Sequence, residues 1–181
     1  MERGFKRAPS GITPAALRQA DILKVREGWF ADVIPASLPR MKSLSFKHLN
    51  PDWNAEPNAP SLQVKVAGDA LELRFLLNPY AYEAEDGEVA TLRFGGCCRW
   101  RWDATNDHAW FAGQGRFSGQ APNWGEFYEI TPVEPRSDDL DWEIVSSDTA
   151  ECRHFLFYFR DETIECVATS WSLHRSKQGT D

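Results

Sequence analysis

Four cysteines, four histidines and several close carboxylates are the side chains of this 181-residue chain that could ligate a metal, attack an electrophile or move a proton. Cys97, Cys98, Cys152 and Cys166 form no C-x-x-C pair, and vicinal Cys97-Cys98 on an extended strand point to opposite faces, a poor geometry for shared ligation. Cys152 and His154 fall on one face of a strand. A tight turn at Asp161-Glu162 places Phe157 opposite Cys166, which puts Cys166 on the other face. Three ligands do not converge, so no metal and no cofactor is expected. With four thiols and no apolar run of signal-peptide length at the N-terminus, the cysteines read as reduced and the compartment as cytoplasmic.

His48, His108, His154 and His174 are scattered, and none sits in a G-x-S-x-G or H-E-x-x-H setting. Glu126 and Glu129 differ by an odd number and face opposite sides of a strand, which argues against a cooperating acid/base pair. The Asp138, Asp139, Asp141, Glu143 run follows Pro132 and Pro135 and lacks the turn glycine of a calcium loop. No catalytic residues are assigned, and a non-enzymatic role is favoured.

Arg99-Trp100-Arg101-Trp102 has the composition of a stacking groove for single-stranded nucleic acid. On a strand the two residue types separate: the indoles turn to the core, and the guanidiniums meet solvent or cross-strand acids. The eight tryptophans are the most unusual feature of the composition, because rigid aromatics can pave a pocket or a partner-binding surface. Trp100 and Trp102 suit core filling. Trp110 and Trp124 flank a glycine-rich polar segment and, with Tyr128, Gln114 and Asn123, form the expected binding surface.

These residues must be positioned by extended chain. Leu62, Val64 and Val66, then Gly68-Asp69, then Leu71, Leu73, Phe75 and Leu77 read as a β-hairpin with one buried face. Further strands are expected at 89–94, 98–102, 109–112, 125–131, 142–146, 154–160 and 163–172, with a bend or bulge at Gly95-Gly96 and a turn at Asn106-Asp107. The fold class is all-β, an antiparallel sandwich or open barrel of roughly eight to ten short strands. One short helix over 14–27, started by Thr13-Pro14 and stopped at Gly28, lies outside it. The expected organisation is an N-terminal extension over 1–40, a β-rich domain over 41–175 and a flexible tail over 176–181.

Charge narrows the partners. Residues 1–40 carry seven Lys/Arg against four Asp/Glu, whereas residues 41–181 carry thirteen against twenty-three. A β-rich domain at −10 repels phosphate backbones and anionic lipid, which disfavours nucleic acid, and attracts basic proteins. No apolar run approaches the roughly 20 residues of a membrane span.

Residues 43–60, 124–130 and 155–171 resemble blocks of an uncharacterised family of small bacterial cytoplasmic β-rich proteins, over about residues 42–173 and with a start near Met41. The resemblance implies a bacterial cytosolic protein with a dispensable extension and transfers no functional residue. The expected function is a protein-interaction or binding domain, one form being an immunity-type inhibitor that occludes a basic toxin. The alternative is a β-barrel or sandwich holding a small molecule, an enzyme with a dispersed site included.

Overall fold

The computed structural model describes residues 43–135, 140–147 and 151–177. The expected helix over 14–27 and the extension over 1–40 lie outside these residues. Within them the regular structure is almost entirely antiparallel sheet. Its strands are β1 (Ser45–His48), β2 (Gln63–Ala67), β3 (Ala70–Leu76), β4 (Val89–Asp103), β5 (Phe127–Thr131), β6 (Glu143–Ile144), β7 (Arg153–Tyr158) and β8 (Thr163–Ser176), and one short helix, α1 (Asp107–Phe111), follows β4. The spatial order is β1-β5-β7-β8-β4-β3-β2, with β6 added beside β4.

The period-two hairpin forms as expected: Val64 pairs with Leu73 and Ala67 with Ala70 around Gly68, whose φ of 62° suits the first position of a two-residue hairpin turn. Leu71, Leu73 and Phe75 are buried on one face while Glu72 and Arg74 are half-buried on the other.

Three expectations need correction. The strands expected at 89–94 and 98–102 are one 15-residue strand, because Gly95-Gly96 stays in register with β8 (Gly95 pairs with Ser170 and Cys97 with Ala168) and the bulge falls after it, at Cys98, with Arg99 pairing with Val167. Gly96 has φ of 58°, and a Cβ there would lie 2.6 Å from Thr169 Oγ1. The strand expected at 109–112 is helix α1, because Asn106 accepts a 2.9 Å hydrogen bond from Ala109 N and caps a helical turn rather than making a strand-linking one. The strand expected at 163–172 is longer, since β8 runs to Ser176 on its pairing with Val89.

The sheet curls until its inner face closes on itself. Phe75 on β3 and Phe157 on β7 have two strands between them, which in a flat sheet would hold them roughly 14 Å apart. Their ring centroids are 5.5 Å apart, and Phe94 on β4 meets Phe127 on β5 at 5.9 Å across the same number of strands. Trp53, from the connection between β1 and β2, completes this interior against Phe75, Phe127 and Phe157. The fold is thus the open-barrel form of the all-β expectation, with β1 and β2 as free edges of the sheet path.

The outer face of β5 and β7 is covered as well. The connection between β4 and β5 lays Trp110, Phe117, Ala121 and Trp124 over Tyr128, Ile130, Leu156 and Tyr158. β7 is therefore dry on both sides, with five consecutive buried residues from His154 to Tyr158.

Candidate functional site

At one end of the curled sheet a cavity of about 670 Å³ opens between five segments: residues 54–58, Asn78, residues 106–108, Trp124-Gly125 and residues 158–161. Each is a turn or an element end, and several are fixed by backbone bonds and side-chain caps. Asn54 O accepts from Asn78 N at 2.9 Å, and Glu56 N donates to Leu76 O at 2.8 Å, which ties the first segment to the end of β3. The Glu56 carboxylate accepts Asn58 N at 2.8 Å and also Ala59 N. The Asn106 cap presents Asp107 and His108 at the start of α1. Phe159 N donates to Glu162 O at 2.8 Å and closes a four-residue turn that carries Arg160 and Asp161.

That turn differs from the two-residue one expected: Phe155, not Phe157, pairs with Cys166. The shift is two residues, so every side chain keeps its face. Cys166 lies with Phe155 in the interior, and His154 lies outside.

The aromatic wall of the cavity is Trp124 on Tyr158, with centroids 4.6 Å apart and ring planes at 33°. Trp110 backs both, at 6.1 Å and 6.0 Å. Burial pushes the Tyr158 phenol far above its usual range, so it stays a neutral donor. The polar lining is acidic. Glu56, Asp107 and Asp161 stand against Arg160, which donates to the Asn58 carbonyl and lies 3.6 Å from the Asp161 carboxylate.

Of the five residues read from the sequence as a binding surface, Trp124 alone lines the cavity. Trp110 and Tyr128 are buried behind it. Asn123 is exposed and brackets the Tyr128 hydroxyl, donating from its N at 3.1 Å and accepting at its carbonyl at 3.2 Å. Gln114 is exposed just beyond α1. The polar residues of the cavity were hidden in plain signals: Asn78-Pro79, Asn106-Asp107 and Asp161-Glu162 read as turns, and nothing in a single strand pattern says that three turns meet.

Two expectations about side chains fail. Trp102 is 46% exposed at the end of β4 rather than buried. The four cysteines are not all thiols, since Cys98 and Cys152 are joined as a disulfide. The bulge carries Cys98 off the inner face to residues 145–146, where its carbonyl accepts Val145 N and Ser146 N at 3.0 Å, beside the entry to β7. Cys97 and Cys166 remain in the core with their sulfurs 3.6 Å apart, and burial pushes the Cys166 thiol well up. Arg99 and Arg101 are buried rather than solvated, and Arg101 meets the cross-strand acid Glu165.

Among the described residues no group of three or more His, Cys, Asp or Glu is placed to hold a metal ion, and no helix is long and apolar enough to cross a membrane. No family model, curated protein or solved structure matches the chain. The functional reading rests on the geometry of the cavity.

Proposed function

We propose that this domain is a non-enzymatic binding protein whose cavity receives a positively charged segment of a partner protein. The single observation that carries the reading is the lining: a tryptophan laid against Tyr158 with the ring planes 33° apart, and three carboxylates set against one arginine that its neighbours already satisfy. A lysine or arginine entering there gains both carboxylate contacts and the face of an aromatic ring. Exposed Tyr80 and Phe111 lie within three residues of cavity-lining Asn78 and His108, and such aromatics suit a protein partner. The charge of −10 over residues 41–181 would steer a basic partner to this end. Occlusion of a basic toxin by an immunity-type inhibitor is the concrete form of this role.

Calorimetric titration with polyarginine, polylysine and polyglutamate peptides tests the proposal. Binding of the cationic peptides should weaken with added salt and be lost in Trp124→Ala and in the Asp107→Asn, Asp161→Asn pair. Equal binding of polyglutamate, or full affinity in both variants, would remove it. A second reading is favoured by the volume alone, since small-molecule sites span about 300–1,000 Å³. Under it a small polar ligand would raise the unfolding temperature through Trp124 while the peptides would not.

A further inference from the structure

The wall of the cavity is braced from behind by a charged cluster that does not touch the cavity. Glu165 on β8 is fully buried, with a cation on each side. Arg101 Nη1 from β4 lies 2.7 Å from it, Arg116 Nε from the β4–β5 connection 2.9 Å, and His154 Nε2 from β7 3.1 Å. Burial pushes its pKa up, but the bond from His154, the charge of Arg116 and the bond from Arg101 outweigh burial and hold it below the usual carboxylate range. Asp103 takes the other end of Arg101 at 3.1 Å, and Glu134 pairs with the other end of Arg116.

Arg116 is the only one of these cations that belongs to the connection carrying α1 and Trp124. Its guanidinium lies over the Phe117 ring at 4.4 Å, and its carbonyl accepts the Tyr158 hydroxyl at 3.2 Å. Tyr158 in turn is the ring against which Trp124 lies. Three contacts therefore run from a buried carboxylate to the cavity: Glu165 to Arg116, Arg116 to Tyr158, and Tyr158 to Trp124.

We propose that Glu165 and Arg116 are positioning residues, a buried clasp that fixes the β4–β5 connection on the sheet and thereby sets the aromatic wall of the cavity. Surface ion pairs seldom hold a loop, because water and salt compete for both partners. This pair differs in that the carboxylate is out of water, so releasing Arg116 removes one of the partners that offset its burial, and no water takes that place without opening the site. The connection has few strand hydrogen bonds of its own, and the clasp supplies a fixed point near its middle.

Hydrogen exchange across the whole chain tests the clasp without any ligand. Arg116→Ala should speed exchange in residues 104–126 by roughly a hundredfold, the scale set by breaking a buried ion pair, while β3 and β4 residues keep their protection. Tyr158→Phe, which removes one hydroxyl and no charge, should speed exchange in the same residues by a smaller factor. Arg153→Ala, which breaks a half-exposed pair with Glu129 on the opposite face of the same strands, should not. Unchanged protection of 104–126 in Arg116→Ala, or a uniform loss over all strands, would overturn the proposal. A second arm rests on the binding role proposed above: polyarginine affinity should fall in Arg116→Ala as well as in Trp124→Ala. If Trp124→Ala binds normally, the cavity reading fails, and the exchange result still decides the clasp.

Discussion

The two faces of the same strands are buried by opposite means. The inner face is closed by aromatic and aliphatic side chains and two thiols, with Phe75, Phe94, Phe127, Phe155 and Phe157 in one contact network. The outer face is closed by a connection that meets it partly through Trp110, Phe117 and Trp124 and partly through salt bridges around Glu165. The inner face gains from every atom removed from water and needs no particular geometry to do so. The outer cluster offsets the desolvation of its ions only in one arrangement. The first face therefore supplies stability, and the second fixes where a covering segment sits.

The largest expected effect sharpens that contrast. Phe157→Ala should cost about 3–5 kcal/mol, the usual range for emptying an aromatic site in a packed core. Glu165→Ala should cost a similar amount, about 3–5 kcal/mol, because two buried guanidiniums and the His154 ring lose their shared partner. The two part company on rescue. Replacing Arg101, Arg116 and Glu165 together by Met, Met and Leu should restore most of the stability in denaturant unfolding, whereas no surface change restores Phe157→Ala. If the triple variant is no more stable than Glu165→Ala, the outer face is not held by an exchangeable charge cluster.

Next in size is the disulfide. It closes a loop with a sequence separation of 54, so Cys98→Ser should lower stability by up to about 4 kcal/mol under oxidising conditions. The same variant should be silent in reductant. A loss of equal size in both conditions would assign the effect to packing at the bulge.

Acid should act on the outer face before the inner one. Glu165 has a folded pKa below its unfolded value, so the stability it contributes is full above about pH 4.3 and is lost as pH falls through its lower folded value. Glu129 and Glu88, lowered by Arg153 and Arg175, act in the same direction but are more exposed and contribute less. Unfolding followed from neutral pH downward should show a fall in that window which Glu165→Gln flattens. A slope indifferent to Glu165→Gln would show that other carboxylates dominate. The smallest effect belongs to Trp102→Gln, expected within about 0.5 kcal/mol because the indole is nearly half exposed.

How much of this was legible follows from the same contrast. Leu71, Leu73 and Phe75 alternate with Glu72 and Arg74, and a face dried only by apolar residues writes its period directly into the chain. The outer face does not. Arg99 and Arg101 alternate as solvent-facing residues should, and only the arrival of Arg116 and Glu134 from distant segments makes their side of β4 a buried one. Asn106 is equally suited to a turn or a helix cap, and the choice was made by Trp110 packing on Tyr158. Cys98 falls in step with Trp100 and Trp102 and so reads as inward-facing, but the bulge at that residue turns it off the inner face and leaves Cys97 there instead. Trp124 was read as a surface aromatic and does line the cavity, while the asparagines and acids beside it were legible only as punctuation.

The burial of β7 on both sides bears on how the chain reaches this state. Residues 155–159, Phe-Leu-Phe-Tyr-Phe, carry no charge, no proline and no glycine, the makeup of a segment that sticks to copies of itself when bare. Shelter for it comes from β5 and β8 at its flanks and from a connection that docks through charges, so a nascent chain must hold this stretch exposed until its C-terminal strand has emerged. Synthesis from the ribosome thus leaves a window in which clumping competes with completion. Handling at low concentration, or a chaperone that grips aromatic segments, would protect yield there more than any gain in native stability.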